Sequence, residues 1–180
     1  MRVAILLVVL GAIAAALGHP SPASSPSPRA ASPIHVPRSA IPEGTTVFDD
    51  DIPGVARLDP ALLGALRQAA TDAGVDFVVD SGWRSRAYQE KLLRQAISKY
   101  GSEAEAARWV ATPNTSAHVS GDAVDLGSSG AAWLSEHGAR YGLCRIYGNE
   151  PWHYELRRDA AARGCPAMYA DPTHDPRMQP

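Results

Sequence analysis

Two short segments in the second half of the chain contain residues that could bind a metal ion. The first, SAHVSGDAVD, contains His118 and, seven residues later, Asp125. The second, EPWH, contains Glu150 and, three residues later, His153. Two imidazoles and one carboxylate are a sufficient protein ligand set for catalytic zinc, which keeps a fourth position open for water. A glutamate that is not a ligand could then deprotonate that water, whose pKa zinc lowers to about 7.

Taken one at a time, these residues have simpler explanations, because a single histidine is usually structural and a glutamate in a turn is usually solvated. Asp125 is harder to explain in this way, since the apolar residues Val124 and Leu126 flank it. Burying an unpaired carboxylate is costly, so Asp125 needs a cation beside it. Zinc is one candidate for that cation, and an arginine is the other.

The helices that must position these residues are indicated by capping residues and by the spacing of apolar side chains. The signals are an N-cap followed by proline, a serine N-cap, a capping box, and glycines placed after a last turn. They predict four helices: 60–73 after Asp59, 86–100 between Ser85 and Gly101, a short helix from the Ser102–Glu105 capping box to near Val110, and 131–141 before Gly142.

Short apolar or alternating runs predict four strands, at residues 75–79, 122–126, 143–147 and 152–156. The predicted helices lie before and between these strands, and the last two strands are neighbours in sequence. This order predicts an α+β fold with a small central antiparallel sheet and flanking helices.

The pattern S-x-H-x-x-G-x-A-x-D, followed by E-x-W-H, closely resembles the zinc D-alanyl-D-alanine carboxypeptidases of the vancomycin-resistance type. These enzymes belong with lysostaphin and the sonic hedgehog N-terminal domain in one structural superfamily. The likeness extends upstream to SGWRSRAYQ at residues 81–89 and downstream to the Trp133-Leu134 and Tyr141-Gly142-Leu143 segments. It spans about residues 58–158 and implies a hedgehog/D-Ala-D-Ala peptidase-like fold.

The resemblance also implies a role for each site residue. One zinc ion per chain would be bound by three ligands, His118, Asp125 and His153. Glu150 would be the catalytic base, and Arg84 would face the scissile carbonyl, where a fixed guanidinium can stabilise the developing oxyanion. Ser116 and Gln89 would help to hold the terminal carboxylate of the substrate, for which hydroxyl and amide donors are suitable.

The three polar residues outside the ligand set also have structural alternatives. Arg84 could be a surface arginine, Ser116 could cap a turn, and Gln89 could lie on a solvated helix face. Glu150 separates catalysis from simple metal binding, because a module that only binds zinc has no need of a base at this position.

Composition limits the classes of protein to which the chain can belong. Its 180 residues suffice for one ordinary domain, and 45% hydrophobic with 20% charged residues is a globular composition. A net charge of −2 gives no support to nucleic-acid binding. Two cysteines exclude a Cys-rich zinc finger and a scaffold with several disulfides.

The ends of the chain differ in composition from its middle. Residues 1–18 combine a basic start with about fifteen apolar residues and small residues near Gly18, which is typical of a signal peptide. Residues 19–42 contain seven prolines among serines and alanines and are expected to be a spacer. We expect the zinc peptidase domain at 43–165 and a flexible tail at 166–180.

The N-terminal segment indicates export to the periplasm, cell wall or outside of the cell, with an uncleaved membrane anchor as the alternative. An oxidising compartment permits a Cys144–Cys165 disulfide, and two reduced thiols are the alternative. Apart from the export signal, no membrane contact is expected, and a monomer is favoured.

The leading functional hypothesis is a secreted zinc metallocarboxypeptidase that removes terminal D-alanine from peptidoglycan stem peptides. A close variant would cut an L,D-bond in a tetrapeptide stem. A zinc-bearing cell-wall binding module is a different class, and a structural wall protein with an incidental His/Asp cluster is a third.

Overall fold

The computed structural model describes residues 41–179. The predicted signal peptide and nearly all of the predicted spacer lie outside the described residues. Within residues 41–179, none of the helices is long and apolar enough to span a bilayer.

The helices begin and end close to the capping residues that predict them. Asp59 accepts hydrogen bonds from the first-turn amides of Ala61 and Leu62, at 2.9 and 3.0 Å. Ser85 accepts one from the Tyr88 amide at 3.2 Å. In chain order the helices are α1 Pro53–Ala56, α2 Pro60–Ala73, α3 Arg86–Tyr100, α4 Glu103–Ala107, α5 Ala117–Ser120, α6 Ser128–His137 and α7 Ala160–Arg163. The described part of the chain also has three 3₁₀ turns, at Gly138–Tyr141 directly after α6 and at Pro172–His174 and Pro176–Met178 after α7.

Four short strands form one antiparallel sheet in the order β1-β2-β4-β3. Their bounds are β1 Val79–Ser81, β2 Ala123–Leu126, β3 Leu143–Arg145 and β4 His153–Leu156. The predicted α+β class with a small antiparallel sheet is therefore confirmed. In the central pair, Asp125 on β2 lies opposite His153 on β4. The sheet thus brings together two side chains that are far apart in sequence.

The main core lies between this sheet and helices α2 and α6. Its largest fully buried side chains are Leu62, Leu66, Phe77, Leu126, Leu143 and Tyr154. Burial of each such side chain stabilises the fold by about 1.5–3 kcal/mol, so these contacts hold the sheet in place against the two helices. A second cluster joins α3 to α4 through Leu92, Ala96, Ala106 and Val110.

Several elements have bounds that differ from the prediction. The first strand is Val79–Ser81 rather than 75–79, because Phe77 turns into the core and its carbonyl accepts the Val47 amide at 3.2 Å. The predicted helix 131–141 begins earlier, at Ser128, and its last turn is the 3₁₀ turn Gly138–Tyr141. The strands predicted at 143–147 and 152–156 are also shorter.

The segment after residue 165 is ordered against the domain, where the sequence predicts a flexible tail. Asp171 and Asp175 are buried and cap the last two 3₁₀ turns. Asp171 also accepts a hydrogen bond from Arg108 at 3.0 Å. Cys144 and Cys165 form a disulfide, with their Cα atoms 5.5 Å apart. The tail has few apolar residues, and it is held by charge pairs that composition does not indicate and by the disulfide just before it.

Candidate metal and catalytic site

His118, Asp125 and His153 form a buried cluster at the end of the sheet. Nε2 of His118 lies 3.3 Å from Oδ1 of Asp125, and Nδ1 of His153 lies 3.1 Å from the same oxygen. One ligand atom from each residue lies within 4.8 Å of the others. The structure therefore brings together the three residues that the sequence predicts to bind metal.

Two close backbone approaches pack the end of α5 and the glycine that contacts His118 against α1 and the residue after it. Gly121 ends α5 with a φ of 86°, and a Cβ there would lie 2.5 Å from the Arg57 carbonyl oxygen. A Cβ on Gly82 would lie 2.0 Å from the Gly54 carbonyl oxygen. Only glycine fits either position, so packing requires Gly121, the glycine of the S-x-H-x-x-G-x-A-x-D motif.

The hydrogen bonds of the two imidazoles indicate which nitrogen of each faces the cluster. Nδ1 of His118 lies 2.8 Å from the Gly82 carbonyl oxygen, so Nδ1 carries the proton and Nε2 has a free lone pair. His153 lies between two carboxylates, with Nδ1 3.1 Å from Oδ1 of Asp125 and Nε2 3.3 Å from Oε1 of Glu155. With a metal ion in the cluster, Nε2 of His118 and Nδ1 of His153 would be the nitrogens that face it.

Arg84 is fixed beside this cluster by three acceptors. Its guanidinium donates to Oδ2 of Asp125 at 2.8 Å, to Oγ of Ser81 at 2.8 Å and to Oε1 of Gln89 at 3.2 Å. Burial raises the pKa of Asp125, but the charges and hydrogen bonds of His118, His153 and Arg84 outweigh burial and hold that pKa well below its usual value. Asp125 is therefore ionised, with an arginine on one oxygen and the imidazoles at the other.

Glu150 completes the group beside Nδ1 of His153, the nitrogen that also faces Asp125. It is 7% exposed, and its Oε2 lies 3.8 Å from Nδ1 of His153. Burial raises the pKa of Glu150 to about 7. A carboxylate with a pKa near neutrality is suited to act as a general base.

Ser116 and Gln89 line the same pocket as the cluster. Gln89 is buried, and its amide is engaged at both ends, because it accepts from Arg84 and donates to the Ala111 carbonyl at 2.9 Å. The solvated helix face that was the alternative for Gln89 is therefore wrong. Ser116 precedes α5 without capping it through its hydroxyl.

Sequence reasoning missed Glu155 and the contribution of the C-terminal segment. Glu155 lies two residues after His153 on β4, and this alternation indicates that both side chains lie on one face of the strand. Pro172 and Met178 line the pocket beside Tyr147 and Trp152. The spacing of Glu155 was a usable signal, whereas nothing in the sequence placed the last turns at the pocket.

Two imidazoles and a carboxylate, with a buried glutamate and a fixed arginine on an α+β scaffold, are the side-chain set of a zinc-dependent hydrolase. The family model VanY, D-alanyl-D-alanine carboxypeptidase, matches residues 60–157. The chain belongs to this family, which confirms the resemblance found in the motifs.

Known relatives agree with this assignment. A D-alanyl-D-alanine carboxypeptidase of Enterococcus faecalis (strain ATCC 700802 / V583) is 33% identical in an alignment 124 residues long, and the match covers 54% of this chain and 46% of the relative. The chain thus matches about half the length of that curated protein.

Solved structures also match. VanYB in complex with D-alanine-D-alanine is 31% identical, with a TM-score of 0.52 over 59% of this chain and 75% of that one. A variant of the vancomycin resistance D,D-pentapeptidase VanY in complex with Zn(II) is 30% identical, with a TM-score of 0.49 over 55% and 72%. Solved L,D-carboxypeptidases are also among the matches.

Proposed function

We propose that this protein is an exported zinc carboxypeptidase that removes the terminal D-alanine from peptidoglycan stem peptides. The observation that carries the proposal is that Glu150 lies 3.8 Å from His153 and Arg84 lies 2.8 Å from Asp125, both beside the buried cluster that these two residues form with His118. A metal site alone needs neither a buried base nor a fixed guanidinium. The similarity to VanYB in complex with D-alanine-D-alanine supports the choice of substrate.

Zinc is the metal that the donor set fits best. Two nitrogen donors and one oxygen donor suit zinc, whereas magnesium and calcium prefer sites built from oxygen. Bound zinc polarises a carbonyl group and lowers the pKa of water to about 7. His118, Asp125 and His153 would hold one ion per chain, because one ligand atom from each lies within 4.8 Å of the others.

The chain's own residues would carry the proton and the charge through the reaction. Glu150 takes a proton from the water that adds to the carbonyl carbon, and later delivers it to the leaving amine as the C–N bond breaks. Arg84 stabilises the negative charge that develops on the carbonyl oxygen. Its three acceptors hold the guanidinium in place, so little reorganisation is needed when the charge appears.

Recognition of the free carboxylate is assigned to the wall of the pocket that includes Ser116. Its hydroxyl does not cap α5 and lies in the pocket lining, so it can donate to a substrate oxygen. Gln89 lies deeper and contacts Arg84, which supports an indirect role in addition to the predicted contact with the carboxylate.

The deciding experiment incubates the zinc-loaded protein with defined tri-, tetra- and pentapeptide stems and identifies the products by mass. We expect release of D-alanine from the pentapeptide and a tetrapeptide product. A pentapeptide ending in L-alanine and the Glu150→Gln variant are the matched controls, and both should remain uncut.

The other outcomes distinguish the alternatives. Release of D-alanine from the tetrapeptide, with the pentapeptide intact, would show the L,D-carboxypeptidase. A protein that binds zinc and cuts none of the stems would be the zinc-bearing binding module.

A further inference from the structure

Glu155 is a buried carboxylate that the proposed reaction does not use. It is 1% exposed, and its Oε1 lies 3.3 Å from Nε2 of His153, on the side of the ring away from Asp125. When Nδ1 ligates a metal ion, the ring proton is on Nε2, where Glu155 can accept it.

Two arginines hold this carboxylate in place. Arg177 donates from Nη1 to Oε2 at 2.7 Å and from Nη2 to Oε1 at 3.3 Å, and Arg157 lies 2.8 Å from Oε2. Two guanidinium groups and one imidazole therefore share the two oxygens of Glu155. Such charge-assisted bonds restrict a carboxylate more strongly than neutral hydrogen bonds do.

The C-terminal segment, residues 171–178, closes this network around His153. Arg177 also donates from Nε to Asp175, at 3.0 Å to Oδ2. Asp175 accepts the hydroxyl of Tyr147 at 3.0 Å, and the Tyr147 ring centroid lies 5.2 Å from that of His153. His153 thus contacts Glu155 at the edge of its ring and Tyr147 at its side. Arg177 connects these two residues, because it binds Glu155 directly and Tyr147 through Asp175.

We propose that Glu155 is a positioning residue for the metal ligand His153, and that Arg177 of the C-terminal segment holds it in that role. The carboxylate fixes the proton on Nε2 and the plane of the ring, so that Nδ1 is available to the metal. Partners of this kind typically change metal affinity by about 10–100-fold when they are removed. The inference rests on the zinc site of the proposed function and adds the C-terminal segment to that site.

The test measures zinc binding by the full chain, independently of activity. Zinc affinity is determined by competition with a chelator, and the melting temperature is recorded with and without zinc. Glu155→Gln preserves the shape of the side chain but removes its charge, and we expect zinc affinity to fall by about 10–100-fold.

Arg177→Met keeps Glu155 but removes the hydrogen bonds that it receives from the C-terminal segment. We expect zinc affinity to fall by about 10-fold in this variant. Arg163→Met, at the exposed end of α7, is the matched control and should bind zinc as the unaltered chain does. In both test variants the rise in melting temperature on adding zinc should shrink, because that rise depends on affinity.

A purely structural role gives a different pattern. Both variants would then melt at lower temperature without zinc but keep the same affinity in the chelator competition, which would overturn the inference. If Glu155→Gln does not fold, Arg177→Met decides alone. Failure of the unaltered chain to bind zinc would instead overturn the proposed metal site, so the two failures are distinguishable.

Discussion

Arg84 and the imidazole pair bind opposite oxygens of Asp125. The guanidinium donates to Oδ2 at 2.8 Å, while His118 and His153 face Oδ1 at 3.3 and 3.1 Å. The sequence left zinc and an arginine as alternative cations for this carboxylate, and the structure has a place for both. Because one carboxylate contacts both imidazoles and the arginine, it would set the distance between a bound metal ion and the proposed oxyanion donor.

Replacing Arg84 should therefore affect the chemical step. We expect Arg84→Ala to lower kcat by about 10²–10³-fold while zinc stays bound, since loss of an oxyanion donor acts on the transition state. Arg84→Lys should recover little, because an ammonium cannot meet the three acceptors that a planar guanidinium meets. Steady-state kinetics and metal content are the measurements. A raised KM with nearly unchanged kcat would show instead that Arg84 only binds the substrate carboxylate.

Gln89 allows a second test of the same arrangement. Its amide oxygen accepts from Arg84, so Gln89→Met should lower kcat by loosening the guanidinium, with a smaller effect on KM. If Gln89 instead holds the substrate carboxylate directly, KM should rise and kcat should change little. The melting temperature must be measured in parallel, since the bond to Ala111 is also lost.

The parts of the structure that follow from short-range chemistry were predictable from sequence. Asp59 and Ser85 begin α2 and α3 where capping rules place them, because a cap is satisfied within one turn. The cluster of His118, Asp125 and His153 was also recognisable, since His118 and Asp125 lie in one motif and His153 in another.

The parts of the structure that depend on contacts between distant residues were not predictable from sequence. The first strand begins late because Phe77 pairs with Val47, which lies thirty residues away in the chain. Arg177 contacts Glu155 across 22 residues, and a charged pair leaves no periodic pattern in a sequence. The C-terminal segment therefore had the composition of a loose tail although it is bound to the domain.

Replacing the proposed metal ligands should abolish or severely weaken zinc binding, depending on the ligand that is removed. His118→Ala and His153→Ala should each lose the ion, and Asp125→Ala should weaken binding severely while leaving Arg84 without its carboxylate partner. Metal content after dialysis gives the answer, with His137→Ala as the matched histidine control outside the cluster. Full zinc occupancy in the doubly substituted His118→Ala/His153→Ala protein would place the site elsewhere.

The disulfide should stabilise the fold through the chain segment that it closes. Cys144 and Cys165 are 21 residues apart in sequence, and closing a loop of this size adds about 3 kcal/mol in the chain-entropy model. We expect the Cys144→Ala/Cys165→Ala protein to lose stability of this order in urea denaturation. Two free thiols per chain, titrated in denaturant on exported protein, would contradict the pairing.

Glu150 provides the most demanding test, because it separates an enzyme from a zinc-binding module. Its carboxylate lies 3.8 Å from a ligand nitrogen and is predicted to move protons rather than to hold the metal. Glu150→Gln should therefore keep the fold and the zinc but lower kcat by about 10²–10⁴-fold, the usual contribution of a general acid–base group. Turnover of the pentapeptide stem and zinc content are measured on the same preparation, so that loss of metal cannot be mistaken for loss of the base. If the variant turns over normally with zinc bound, the mechanism proposed for this site is wrong and the binding module becomes the better interpretation.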